Sequence, residues 1–237
     1  MPSPTDTEVV EVVHFPAGEL LLEGRLTYPD TGTPIGAVVI AGPHPLLGGD
    51  VENNVIRGVS TGLARRGVAT LAFNYRGVSG SEGSPPDVAR HLAEFWATSH
   101  VPEEPQYAKD LNAAVEAMRE FTAPHLPLAL VGYSFGSSLL PASNVEPQVP
   151  MVLIAPTIGT HDFAVFEAVL NPLLVVSPEG DFAVDGARLT TWFDRLIAPK
   201  QLVRGEWDDH FFRGHEERLT GLVFEFLQEQ WEGIACR

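Results

Sequence analysis

Cysteine is nearly absent: Cys236 stands alone in 237 residues. That excludes an intrachain disulfide framework and any metal site built on several thiolates. Basic residues are also scarce. Lys and Arg total 15 against 31 Asp and Glu, leaving a formal charge of −16. Nucleic acid and anionic lipid are held by clustered Lys and Arg, so neither is an expected partner, and the acidity reads as a solubility feature. No apolar run approaches the roughly 20 residues of a membrane helix. Residues 1–7 are polar and lack the basic-then-apolar pattern of a secretory leader; they read as a loose tail. The expectation is a soluble, cytoplasmic protein, monomer or homodimer.

No internal repeat, low-complexity tract or linker divides the chain, so a single domain over 1–237 is expected. A chain this long buries roughly 70–75% of its unfolded surface and needs no covalent or metal staple. Val-rich 8–15 and apolar 20–28, separated by Pro16-Ala17-Gly18-Glu19, predict an antiparallel hairpin. Short, continuously apolar runs then alternate with amphipathic ones. Strands are predicted over 36–41, 68–73, 128–131, 150–155, 172–177 and 199–204. Helices are predicted over 53–66, 107–121, from about 135, 186–196 and 215–231. Apolar strands interleaved with helices imply a mostly parallel sheet covered on both faces. Ligand sites in such sheets lie beyond the carboxyl ends of the strands.

The residues with chemical potential fall at those ends. The run Leu128-Ala129-Leu130-Val131 stops at Gly132-Tyr133-Ser134-Phe135-Gly136. A strand, a tight turn and a helix start around Gly-x-Ser-x-Gly present the Ser134 hydroxyl on a strained, exposed corner. The motif alone is weak, because it recurs by chance. After the strand at 172–177 comes Asp181, with Glu179 and Asp185 as rivals; an Asp beside Gly is also an ordinary turn residue. After the last strand comes His210, flanked by aromatics. The other seven histidines lie in strands, loops or helices less suited to reach Ser134. In this set His210 is the base for the serine proton, and Asp181 fixes the imidazole tautomer. One oxyanion amide is that of Phe135. A second is expected in the loop after 36–41, where Pro43 and Pro45 have no N–H and His44 between them does. The His44 ring itself is read as structural.

Ser, acid, His is the chain order of the α/β-hydrolases, and here a resemblance becomes specific. Pro43-His44-Pro45 with Gly48-Gly49 and Asn53-Asn54, then Phe73-Asn74-Tyr75-Arg76-Gly77-Val78-Ser79-Gly80-Ser81, then Gly132 to Gly136 and Asp209-His210-Phe211-Phe212 resemble small bacterial serine hydrolases of the dienelactone-hydrolase-like group. The resemblance covers nearly the whole chain. It implies an α/β-hydrolase fold: a mostly parallel, eight-stranded twisted sheet with helices on both faces and the hairpin at its start. It also implies an acyl-enzyme mechanism without cofactor or metal, acting on a small-molecule acyl substrate. True dienelactone hydrolases usually carry a cysteine nucleophile. Serine here means that their substrate does not transfer. Relatives often begin the first loop with His, where this chain has Gly42, a difference expected to alter packing.

The segment 84–106 is long for a connection. Its residues 88–96 form one amphipathic stretch, read either as a small lid or as an ordinary surface helix. As a lid, it would turn Leu92, Phe95 and Trp96 toward the acyl pocket. Tyr133 and Trp207 are further candidates for pocket lining, against a plain packing role. Arg76 is read as fixing its own glycine-rich loop rather than gripping a substrate carboxylate. Cleavage of an ester, thioester or lactone is the expected activity. Peptide or amide cleavage on the same triad, and ligand binding without turnover, are the alternatives.

Overall fold

A computed structural model describes residues 7–98, 100–197, 199–205, 207 and 209–235, with backbone alone at 234–235. Most of the expected tail (1–6) and Cys236 lie outside the described residues. The chain begins with β1 (Glu8–Ala17) and β2 (Leu20–Pro29), paired antiparallel as expected. There follow β3 (Gly36–Ala41), α1 (Asn54–Ala64), β4 (Val68–Phe73), α2 (Val88–Thr98), α3 (Glu104–Phe121) and β5 (Leu128–Tyr133). The chain then runs through α4 (Phe135–Leu139), β6 (Met151–Ile154), β7 (Leu173–Pro178), α5 (Gly186–Arg195), β8 (Lys200–Gly205) and α6 (Glu216–Ala235).

These strands form one eight-stranded sheet in the order β1-β2-β4-β3-β5-β6-β7-β8. The pairings of β2 with β1 and β4 are antiparallel, and those from β4 through β8 are parallel. Every residue of β3, β4, β6 and β7 is buried, which is why those strands read as unbroken apolar runs. The two-residue strand period sends neighbours to opposite faces. Val39, Ala41 and Leu130 join Leu111, Val115 and Met118 of α3 and Trp192 of α5 in one layer. Val38, Ile40, Ala129 and Val131 join Val55, Val59 and Leu63 of α1 and Leu219, Val223 and Leu227 of α6 in the other.

Helix ends follow local chemistry. Asn53 is the N-cap of α1, its side-chain oxygen accepting from the Val55 amide at 2.9 Å. Asp185 caps α5 in the same way, through the amides of Ala187 and Arg188. The helix expected from residue 135 is only one turn long before it tightens into a 3-10 turn at Leu140–Ala142, where Pro141 cannot donate to an α-helical ladder. Arg76 is committed to α3: its side chain makes a bidentate pair with the fully buried Asp110, whose carboxylate also accepts from the Arg76 amide at 3.0 Å.

Candidate active site

Ser134 follows β5 directly and sits at φ 55°, ψ −121°. These are the angles of the first central position of a type II′ turn, a conformation dominated by glycine. Its amide donates to the Ile154 carbonyl at 2.8 Å, tying the corner to β6. The flanking glycines are sterically required. A Cβ at Gly132 would lie 2.5 Å from the Ser137 Cα, and one at Gly136 would lie 2.2 Å from the Ala41 carbonyl oxygen. The turn is therefore compressed between its own following helix and β3.

His210 reaches this corner from the loop after β8, and Asp181 from the loop after β7. The His210 Nε2 lies 3.0 Å from Ser134 Oγ, and its Nδ1 lies 2.9 and 2.8 Å from the two oxygens of Asp181. A carboxylate can only accept, so the proton sits on Nδ1 and the Nε2 lone pair faces the serine hydroxyl. His210 is 5% and Asp181 8% exposed. The rival acids are elsewhere: Asp185 caps α5, and Glu179 is exposed on the turn after β7.

Neighbouring groups hold the histidine loop. The Tyr133 hydroxyl donates to the His210 carbonyl at 3.2 Å. Burial pushes that phenol well above its ordinary pKa, with Asp181 and Asp209 adding to the effect, so it stays a neutral donor. Asn54 donates to the Phe211 carbonyl at 2.7 Å and to Glu216 at 2.9 Å, linking α1 to the loop and to α6. Neither Tyr133 nor Asn54 had a pattern in the sequence that signalled this anchoring.

The loop after β3 winds closely beside Ser134. The His44 carbonyl accepts from the amides of Leu47 (3.0 Å) and Gly49 (3.2 Å), and its Nδ1 accepts from the Leu46 amide at 3.1 Å. The Tyr75 hydroxyl donates to the Gly42 carbonyl at 3.0 Å, holding the loop's entry. The His44 ring is buried 4.5 Å from the Phe135 ring, centroid to centroid. A Cβ at Gly42 would meet only Ile56, at 3.9 Å, so the position has room for a Cβ.

A cavity of about 310 Å³ opens over Ser134 and His210. Pro43, Leu47, Phe95, Trp96, Phe182 and Phe211 supply much of its apolar wall. Trp96 and Phe182 are 72% and 79% exposed and stand at its mouth. Of the expected lining residues, Tyr133, Phe95 and Trp96 border this cavity, whereas Leu92 and Trp207 are not among the residues that do. Trp207 turns back over Gly205 and packs against Phe212 within the α1/α6 layer. Leu92 is half-buried on α2, where Phe95 is the side chain packed against His44. No sequence pattern signalled Phe182, whose ring lies 5.0 Å from that of His210.

Beside the cavity lies a second polar grouping around Glu104. Burial would raise its carboxyl pKa. Contacts with His161, His44 and His100 and the Val101 amide outweigh that and hold it well below the usual range. Among the described residues no helix is long and apolar enough to cross a membrane.

No protein-family model matches the chain. An uncharacterized protein of Rickettsia prowazekii, RP471, is 22% identical over 226 residues, which are 91% of this chain and 87% of that protein. An α/β serine hydrolase without a lid from Xanthomonas campestris is 25% identical, with a TM-score of 0.74 and 97% of each chain covered. A dienelactone hydrolase from Anabaena variabilis is 21% identical, with a TM-score of 0.72 and 94% of this chain and 98% of that one covered. The fold of this chain is that of the α/β hydrolases, and over nearly its whole length it is similar to their compact serine members.

Proposed function

We propose that the protein is a serine hydrolase that cleaves a carboxylic ester, thioester or lactone through an acyl-enzyme. The observation that carries this reading is the unbroken hydrogen-bonded run from Asp181 through His210 to Ser134, ending on a serine in a glycine-type turn beneath an apolar cavity. A hydroxyl is a weak nucleophile near neutral pH. As Ser134 Oγ attacks the substrate carbonyl carbon, its proton passes to His210 Nε2. Asp181 remains ionised and stabilises the imidazolium. The oxyanion is met by the amides of Phe135, in the first turn of α4, and of His44, held between Pro43 and Pro45. Losing one such donor typically costs about 3–4 kcal/mol of transition-state stabilisation. Collapse of the tetrahedral adduct breaks the bond to the leaving alcohol or thiol, which takes the proton from His210. Water then attacks the acyl-enzyme, giving a proton to His210 Nε2; the acyl–Oγ bond breaks, that proton returns to Ser134 Oγ, and the acid departs.

The acyl group belongs in the cavity walled by Phe95, Trp96, Phe182 and Phe211, which favours an apolar or aromatic acid portion. The segment 84–106, carrying Phe95 and Trp96, acts as a small cover over that side. A fluorophosphonate probe tests the chemistry: labelling of folded wild-type protein and its loss in Ser134→Ala are expected. Absence of labelling, or labelling that survives the substitution, rules the reading out. A panel of esters, thioesters and amides of graded acyl size then reads the substrate class.

A further inference from the structure

Three imidazoles converge on the Glu104 carboxylate, outside the Ser134–His210–Asp181 run. Glu104 Oε2 lies 3.0 Å from His100 Nδ1, and Oε1 lies 3.4 Å from His44 Nε2 and 3.8 Å from His161 Nε2. The side chains of His44 and His161 are 2% and 6% exposed. The Nε2 atom of each is buried without a hydrogen-bond partner. One donor atom each from His100, Glu104 and His161 fall within 4.8 Å of one another.

Tautomers separate the three rings. The Leu46 amide must donate, so it occupies the Nδ1 lone pair of His44 and places that ring's proton on Nε2, facing Glu104. His44 thus turns its N–H toward the carboxylate and cannot ligate a cation through Nε2 without losing that arrangement. His161 is the opposite case. Its Nδ1 lies 2.8 Å from Thr157 Oγ1, a hydroxyl that can either donate or accept, so this ring is able to carry its proton on Nδ1 and turn an Nε2 lone pair toward a cation. At 3.8 Å the buried His161 Nε2 and the Glu104 oxygen are beyond hydrogen-bond reach of each other. A cation between the two atoms satisfies both.

We propose that His100 Nδ1, the Glu104 carboxylate and His161 Nε2 bind a divalent transition-metal ion of the zinc type. Two imidazoles with one carboxylate suit zinc and its neighbours better than magnesium or calcium, which prefer oxygen donors. Zinc holds such donors at about 2.0–2.2 Å, which sets donor pairs in a tetrahedral site roughly 3.3 Å apart. Here Oε2 lies 3.0 Å from His100 Nδ1, Oε1 lies 3.8 Å from His161 Nε2, and the three donors lie within 4.8 Å of one another, so a small inward shift of the rings reaches that spacing. His100 is half-exposed and free to adjust, and Thr157 orients His161 as an outer partner orients a metal-bound imidazole. The ion joins the connection between α2 and α3 to the loop after β6. His161 borders the cavity, so this fastens one of its walls. The site stands independently of the hydrolytic reading.

The test is isothermal titration calorimetry of the untagged, chelator-treated full chain with Zn²⁺, with Mg²⁺ as comparison. One saturable ion per chain is expected, with Mg²⁺ far weaker. Replacing even an outer partner of a metal ligand costs about 10–100-fold in affinity, so His161→Gln and His100→Ala should each weaken binding by at least that much. His125→Gln, on an exposed loop, should leave it unchanged. His100 is half-exposed, so its replacement does not threaten the fold. Absence of saturable binding, equal binding of Mg²⁺, or unchanged affinity in either ligand variant overturns the site.

Discussion

The conformation of Ser134 makes an unusual stability forecast: glycine should be better than alanine there. At φ 55°, ψ −121°, any residue with a Cβ is strained. Non-glycine residues held in such regions cost about 1–3 kcal/mol. Comparing Ser134→Ala with Ser134→Gly isolates this term, since both remove the hydroxyl and its contact with His210. Alanine keeps the strain. Glycine removes it, at a cost of roughly 0.5–1 kcal/mol in backbone freedom lost on folding. The difference leaves Ser134→Gly more stable than Ser134→Ala by about 0.5–2 kcal/mol, whereas ordinary helix or strand positions favour alanine. For a chain of this size that is a few degrees in Tm, at about 2–4 °C per kcal/mol. Urea unfolding followed by tryptophan fluorescence measures it, and neither variant should hydrolyse an ester. If alanine proves equal or superior, the turn is not strained and the account of an exposed, forced nucleophile fails.

Other consequences are open to measurement. Asp181→Asn should lower kcat by about 10⁴-fold with the fold intact, while Asp185→Asn, still able to cap α5, should leave kcat near wild type; comparable losses in both would displace Asp181 as the acid. Arg76→Met strands the buried Asp110 carboxylate and should cost about 3–5 kcal/mol in unfolding free energy, largely recovered in the double variant with Asp110→Leu; no deficit in the single variant contradicts the pairing. Burial raises the phenols of Tyr75 and Tyr133 well above their ordinary range and that of Tyr107 to about 12, while the raised phenol of Tyr28 is solvent-exposed. A raised phenol pKa contributes stability that is complete below pH 10 and is lost as pH climbs through the folded value. Absorbance at 295 nm should therefore show one tyrosine of the four ionising in folded protein and three only with alkaline unfolding. Finally, Trp96→Ala should shift preference across acyl chain lengths with little change in Tm; an unaltered preference removes 84–106 from the acyl site.

The sheet was legible because β3 to β7 are buried on both sides, and double burial leaves an apolar signature that side-chain context cannot disguise. The corner at Ser134 was legible for a steric reason, since Gly132 and Gly136 each occupy a position where a Cβ would strike backbone. Side-chain direction was less readable. Proximity to His210 in sequence suggested Trp207 as a pocket residue, yet a reversal at Gly205 returns its ring to the core. The amphipathic pattern of α2 marked Leu92, Phe95 and Trp96 together, but periodicity does not say which flank of a helix meets a cavity. The convergence on Glu104 left no trace in the sequence. His44, His100 and His161 come from three separate connections, and only the sheet order brings those loops to one end.

That order also carries a consequence for how the protein comes into being on the ribosome. From the middle of the sheet to its edge, β5, β6, β7 and β8 lie in the order in which they are synthesised. Ser134 reaches its final posture only once Ile154 has emerged to accept its amide proton. The carboxylate arrives with the loop after β7, and the imidazole after β8, shortly before α6 closes the second layer. A nascent chain halted anywhere before residue 210 thus displays Ser134 without the imidazole that faces its hydroxyl in the finished fold. The three side chains can meet only after β8 has been made, while Leu219, Val223 and Leu227 of α6 are still to join the second layer.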